Sequence, residues 1–290
     1  MIVASRLMLY ARLTRLDKPI GTLLLVWPTL TALWIAADGS PSLMPVIIFT
    51  VGTFLMRSAG CAVNDVVDRD FDAHVKRTAQ RVVATGRVGP KEGLLVGLAL
   101  AAMAGLLLLP LNATTFLYAL VALGISASYP LFKRFFPLPQ AWLGIAFSFG
   151  IPMAFAAVQG RVPLLGWAIF AGNMFWVVAY DTEYAMVDRD DDLKIGIHSS
   201  AILFGRADVT IVMACYGVHL AVLAAVGRYI GAGWPYHAGL LVAAGIAAYH
   251  YTLIRTRERD GCFGAFRHNQ WLGCAVFAGV VADYALRQAT

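Results

Sequence analysis

The chain has 290 residues, of which 59% are hydrophobic and only 14% charged, and its mean hydropathy is +0.69. Soluble globular domains carry about 25% charged residues, so this composition excludes an ordinary soluble enzyme and points to a protein embedded in a bilayer. A net charge of +6 and a pI of 9.3 would suit a nucleic-acid partner, but the placement of the bases along the chain gives another reason for them.

Arg6, Arg12, Arg15 and Lys18 precede the first apolar run. That run is long and holds Trp27, Pro28 and Trp34, with no small-residue cleavage site after it, unlike a removable signal. The lead-in is also unlike a mitochondrial presequence, so a bacterial inner membrane is the expected location. Nine apolar runs follow in order, at 20–37, 43–63, 93–111, 114–129, 138–158, 164–180, 209–230, 237–254 and 271–286. A span of roughly 20 apolar residues crosses about 30 Å of hydrocarbon, so an all-α integral membrane protein of about nine transmembrane helices is expected. Pro110, Pro130, Pro152 and Pro163 fall at run ends or at kinks that packed neighbours repair. Cys61, Cys215, Cys262 and Cys274 form no CxxC pair or metal-like spacing and read as inert thiols.

With nine spans and a cytoplasmic N-terminus, 20 of the 23 Lys and Arg fall on the cytoplasmic side; Arg161, Arg228 and Arg287 are the exceptions. Positive charge marks the cytoplasmic face, so this placement accounts for the basic composition without nucleic acid and puts the C-terminus in the periplasm. Two of the cytoplasmic connections, 64–92 and 181–208, are much longer than the others, and long connections in a compact protein are usually functional.

Each long connection carries the same hexad. Residues 67–72 read VDRDFD and residues 187–192 read VDRDDD, one difference at an offset of 120. The two copies predict a single domain over 1–290 built of pseudo-repeat halves, roughly 15–135 and 136–286, facing each other across a site. Asp65, Asp68, Asp70, Asp72, Asp181, Glu183, Asp188, Asp190, Asp191 and Asp192 are ten of the chain's 17 acids. Crowded like charges need a compensating cation. Asn64, Asp68 and Asp72 stand at i, i+4 and i+8, one face of a helix continuing from the second span. Tyr184, Asp188 and Asp192 repeat the spacing. Two such oxygen-bearing stripes suit Mg2+, which takes few carboxylates and bridges to phosphates. A solvated acidic loop would explain one such motif but explains poorly two at matching positions. Lys76, Arg77, Arg81 and Lys194 lie among the acids. Arginine offers paired donors to phosphate and lysine a point charge. Acids, Mg2+ and bases together describe a diphosphate clamp.

NDVVDRDFD at 64–72 and DTEYAMVDRDDD at 181–192 resemble the two signature motifs of the UbiA superfamily of intramembrane aromatic prenyltransferases. DKPIGTLLLVWPT (17–29), MRSAGCAVND (56–65), FDAHVKRT (71–78), YPLFKR (129–134), IPMAFAA (151–157) and IGIHSSAILFG (195–205) are similar to the branch acting on 4-hydroxybenzoate in ubiquinone biosynthesis. Two departures stand out: Arg81 is followed by Val82-Val83 where the family has Pro-Leu, and His198 replaces a lysine.

The resemblance implies a helical bundle around a central cavity open to lipid and capped by cytoplasmic loops. It implies transfer of a polyprenyl group from polyprenyl diphosphate to the 3-position of 4-hydroxybenzoate, with release of diphosphate. Asn64, Asp68, Asp72, Asp188 and Asp192 would hold Mg2+, with Asp68 and Asp188 central to catalysis. Lys76, Arg77, Arg81 and Lys194 would bind the departing diphosphate. Asp191 would assist deprotonation of the phenol, and Lys133 or Arg134 would meet the substrate carboxylate. Two other readings compete: a family member with a different aromatic or quinone-precursor acceptor, and an ion or organic-anion transporter. A transporter should place ionisable residues near the bilayer midplane, whereas here they cluster at the cytoplasmic boundary.

Overall fold

The computed structural model describes residues 2–132 and 135–289, and among them the regular structure is entirely helical. In chain order the helices are α1 (Ile2–Leu13), α2 (Ile20–Ala36), α3 (Leu43–Val67), α4 (Arg69–Asp72), α5 (Pro90–Leu107), α6 (Ala113–Phe132) and α7 (Pro139–Ser148). There follow α8 (Gly150–Gln159), α9 (Leu164–Ile195), α10 (Ser200–Phe204), α11 (Asp208–Tyr229), α12 (Trp234–Ile254) and α13 (Arg259–Ala289). Among the described residues seven helical stretches are long and apolar enough to cross a membrane; α2 is apolar but only 17 residues long, and α13 falls outside the seven.

The outward faces explain the composition. Leu43, Leu95, Leu98, Leu117 and Leu241 are exposed on four helices, and only 11% of the span Ala113–Pro130 is buried inside the protein. In water such a face would cost about 25 cal/mol per Å2; against acyl chains it costs nothing, while a helix interior satisfies its own backbone groups.

α9 runs through the packed interior, with α7, α8, α11 and α13 against it. Its Trp176 and Tyr180 are among the largest fully buried side chains. α12 and α13 approach closely where two glycines face each other. A Cβ on Gly239 would stand 2.8 Å from the Gly279 Cα and 2.7 Å from the Ala275 carbonyl oxygen, the small-residue contact that lets membrane helices touch backbone to backbone. The apolar run 138–158 is broken into α7 and α8 at Phe149. Pro152 has no N–H to return to Ser148, and Thr29 of α2 fits against Gly150, where a Cβ would come within 2.1 Å of its hydroxyl.

The two long connections differ from the sequence expectation in opposite ways. The second is mostly helix: α9 continues through the acidic hexad to Ile195, and Gly196, at φ 73°, ends it. The first leaves its helix within the hexad and folds into a turn-rich cap. Val82, Val83 and Val88 of that cap bury against Leu13 of α1 and Ala62 of α3. Tyr10 of α1 donates to Glu92 at 2.6 Å and fastens the N-terminal helix over the same cap.

Candidate active site

α3 ends at Val67, so the expected continuous helix through Asp72 is interrupted: Asp68, with φ −92° and ψ 4°, is the break. The stripe nevertheless survives. The Asp68 N–H still donates to the Asn64 carbonyl at 2.9 Å, and the Asp72 N–H donates to the Asp68 carbonyl at 2.8 Å. Asn64, Asp68 and Asp72 therefore remain one turn apart. Asp68 and Asp72 are both buried.

Arginines crosslink this side. Arg81 lies 2.7 Å from an Asp72 oxygen and 3.2 Å from Asp65. Asp65, only 1% exposed, also takes Arg15 at 2.7 Å. Arg15 holds a left-handed backbone, φ 58°, a conformation that costs a non-glycine residue about 1 kcal/mol or more; its bond to Asp65 helps offset that. The hydroxyl of Thr78 donates to the Asp72 carbonyl at 3.0 Å and folds the loop back on the hexad. Burial pushes the Asp72 carboxyl above the usual carboxylate range, against the pull of Arg81.

On the second side, Tyr184 and Asp188 share one face of α9, as the i, i+4 spacing requires. Arg77 comes across from the first loop. Its Nε lies 3.0 and 2.9 Å from the two Asp188 oxygens, its Nη2 meets the same carboxylate, and its Nη1 meets the Tyr184 hydroxyl. The guanidinium carbon stands 4.2 Å from the Tyr184 ring centroid. Burial works against the charge on Arg77, but Tyr184 and Asp188 outweigh it and hold the guanidinium protonated even more firmly than usual. A second link joins the loops: the Lys76 backbone N–H donates to Asp191 at 3.4 Å. Arg259, at the start of α13, lies 3.2 Å from Asp191 and 3.6 Å from Asp190.

The structure thus brings Asn64, Asp68, Asp72, Arg77, Arg81, Asp188 and Asp191 to one end of the bundle. The Lys76 and Lys194 side chains are exposed there, as is His198. Lys133 and Arg134, the candidates for the substrate carboxylate, lie outside the described residues. Among the described residues no three His, Cys, Asp or Glu side chains converge tightly enough to hold a metal by themselves. The donor set still fits a hard cation, because the Asn64 Oδ1 and the neighbouring Asp65 Oδ2 are buried without a hydrogen-bond partner. Unpartnered buried oxygens are costly, and a cation shared with phosphate oxygens would relieve them.

Sequence reasoning passed over Arg57. It lies inside α3, its guanidinium carbon is 5.8 Å from the Phe147 ring, and its buried Nε has no partner. Gly21 of α2 makes room for it: a Cβ there would fall 2.8 Å from its nitrogens. The signal was legible as a charge inside an apolar run, but Arg57 was counted only as a base marking topology. The crosslinks through Arg15 and Arg259 had no signal in spacing, because their partners are 50 and 68 residues away.

A multi-pass helical membrane protein with two facing aspartate motifs, stitched by arginines at one end of its bundle, is the class that fold and site define. Residues 25–273 match the model of the UbiA prenyltransferase family. The chain is 61% identical over 286 residues to a 4-hydroxybenzoate octaprenyltransferase of Azoarcus sp. (strain BH72), covering 99% of this chain and 100% of that one. It is 59% identical to the protein of the same name from Cupriavidus pinatubonensis, covering 98% and 100%. Among solved structures, a UbiA homolog from Aeropyrum pernix K1 superposes with TM-score 0.78 at 24% identity, covering 91% of this chain and 98% of that one. A UbiA homolog from Archaeoglobus fulgidus bound to GPP and Mg2+ superposes with TM-score 0.69 at 18% identity, covering 94% and 99%. The chain belongs to the UbiA prenyltransferase family.

Proposed function

We propose that the protein transfers a polyprenyl group from polyprenyl diphosphate to the 3-position of 4-hydroxybenzoate, releasing diphosphate, as a step of ubiquinone biosynthesis. The observation that carries this reading is the meeting of the two aspartate motifs through Arg77 and Asp188 at the mouth of an apolar bundle. Relatives near 60% identity along almost the whole chain bear the corresponding name.

The proposed roles follow from chemistry. Asn64, Asp68, Asp72, Asp188 and Asp192 would hold Mg2+, a hard cation that needs few carboxylates. The chemistry such a cation would supply is neutralisation of charge on the diphosphate, which would make it a better leaving group. Arg77 and Arg81 have forked donors that suit phosphate as well as carboxylate. With substrate present they would share their donors between the acids they now hold and the diphosphate, joined by the exposed Lys76 and Lys194. An allylic cation left by diphosphate departure is attacked by the ring carbon ortho to the phenol; that carbon then loses its hydrogen as a proton, which restores the aromatic ring, and excluding water protects the cation from hydrolysis. Asp191 is the proposed acceptor of the phenolic proton. Lys133, Arg134 and the interior Arg57 are the cations proposed for the acceptor carboxylate; the unpartnered Arg57 Nε supports the last of these. The isoprenoid tail would lie in a central cavity among the helices, open to lipid. The two halves, 15–135 and 136–286, would each bring one motif.

In the proposed topology nine spans cross a bacterial inner membrane, with a cytoplasmic N-terminus. A reporter fused after Thr290 should read as periplasmic; cytoplasmic activity would remove the nine-span count. The function is tested by incubating membranes with Mg2+, polyprenyl diphosphate and labelled 4-hydroxybenzoate. A lipid-extractable product, identified by mass as the 3-prenyl acid, is expected. Its absence, with product from another aromatic acceptor instead, would overturn the choice of acceptor.

A further inference from the structure

Behind the aspartate motifs, α9, α11, α12 and α13 share a buried polar network with no part in the proposed chemistry. Its members are Trp176 and Glu183 on α9, Tyr216 on α11, His250 on α12, and His268 and Asn269 on α13. Glu183 and Asn269 are both fully buried. Hydrogens are not visible in such a network, but their number is fixed by which groups can donate.

Trp176 supplies the first constraint. An indole N–H only donates, and it lies 2.8 Å from the Asn269 Oδ1, so that atom is the amide oxygen. The Asn269 Nδ2 therefore donates to the Glu183 Oε2 at 2.8 Å and to the Ala265 carbonyl at 3.0 Å. The Tyr216 hydroxyl has one hydrogen and three neighbours: Asn269 Oδ1 at 2.9 Å, Glu183 Oε1 at 2.9 Å and His250 Nδ1 at 3.0 Å. The amide oxygen carries no hydrogen, so Tyr216 must donate there. The contacts to Glu183 and His250 then need hydrogens from those partners, which the two lone pairs of the phenol oxygen accept. His250 is accordingly protonated on Nδ1, and its Nε2 accepts from the His268 Nδ1 at 3.1 Å. Only a hydrogen on Glu183 completes the set. With Glu183 as an anion opposite a charged His250, one oxygen–oxygen contact of 2.9 Å would hold no hydrogen, and two acceptors would face each other in the bundle interior.

We propose that Glu183 is a positioning residue held as an uncharged carboxylic acid, and that its proton locks α9 to α11, α12 and α13 so that Asp188, five residues on, faces Arg77. The functional half of this statement rests on the reading of Asp188 as part of the active site; the protonation half does not. A glutamine at 183 would reproduce every bond, with its Nε2 donating to Tyr216 and its oxygen accepting from Asn269. A leucine would remove the partner of one Asn269 amide hydrogen and of one Tyr216 lone pair, leaving the bonds to Trp176, Ala265 and His250.

The test compares wild type, Glu183→Gln and Glu183→Leu, each as full chain in lipid nanodiscs. Infrared spectra of the wild type should show the carbonyl stretch of a protonated, buried carboxyl, absent from Glu183→Gln. Glu183→Gln should keep the wild-type unfolding temperature and a turnover and KM within about twofold. Glu183→Leu should lower both unfolding temperature and turnover. A wild-type spectrum without that carbonyl band, or a Glu183→Gln variant as impaired as Glu183→Leu, would overturn the uncharged acid. Glu183→Leu with wild-type unfolding and turnover would overturn the lock. Spectrum and unfolding are read without substrate, so a failure of the proposed transfer reaction leaves them distinct.

Discussion

The two copies of the hexad differ at one residue in sequence and are unlike in structure. VDRDDD lies inside an unbroken α9, packed on four helices, and its helix ends only at Gly196. VDRDFD sits where α3 stops, and the chain after it folds as a small separate cap around Val82, Val83 and Val88. The second copy lies on a wall packed against other helices, and the first on a plate held by ion pairs and its own apolar cluster. Arg81 ties the plate to its own hexad, and Arg77 reaches from it to Asp188 on the wall. A local motif therefore fixes which atoms are offered, while the packing behind it fixes how firmly.

The strongest way to break the comparison is to remove what both copies are proposed to serve. If wall and plate close on one metal-bound diphosphate, exhaustive chelation should abolish turnover and added Mg2+ should restore it, because all the proposed ligands are oxygens. Full activity without a divalent cation would leave the two motifs with no common purpose.

A smaller effect sharpens the role of the bridge. Arg77→Lys keeps the charge but loses the fork that holds both Asp188 oxygens. Turnover should fall about tenfold, the loss expected when paired donors become a point charge. Unfolding of α9 should be unaffected, since the wall is packed without Arg77. Wild-type kinetics in this variant would show that the plate is placed by its apolar cluster alone.

The smallest effect separates the two helix ends. Gly196 closes α9 with φ 73°, and a Cβ there would meet nothing within 4 Å. Gly196→Ala should therefore cost only backbone strain, about 1 kcal/mol, read as a lowered unfolding temperature with turnover nearly intact. A severe loss of turnover would mean that the end of α9 is less rigid than its packing implies.

Much of this was legible in the sequence, for physical reasons. Apolar runs near the bilayer thickness mark helices whatever their neighbours, so the runs at 43–63 and 237–254 fall on α3 and α12. The i, i+4 spacing placed Asp188 beside Tyr184, because α9 is regular. The same rule foresaw the stripe Asn64–Asp68–Asp72 but not the break at Asp68. Beyond that break the chain turns into the cap, whose Val82, Val83 and Val88 bury with Leu13, a residue far back in the chain. Hydropathy alone ended the α9 run at Tyr180, because hexad and flanks are polar; only the i, i+4 spacing hinted that α9 continues, and it runs to Ile195. Arg15, Arg259 and the Glu183 network were invisible for the same reason as the cap: each depends on partners far along the chain.

The most direct measurement is a double-mutant cycle across the two hexads, read as product formed per folded protein at saturating Mg2+. Asp68→Asn and Asp188→Asn should each cost about 10²-fold in turnover, the scale of losing one electrostatic partner in a dry site. The double variant should be little worse than the worse single, since groups acting as one unit are non-additive. Asp260→Asn, exposed at the start of α13 and outside both hexads, should be silent. Wild-type turnover in either single variant, or multiplicative losses in the double, would contradict a single site built from both motifs.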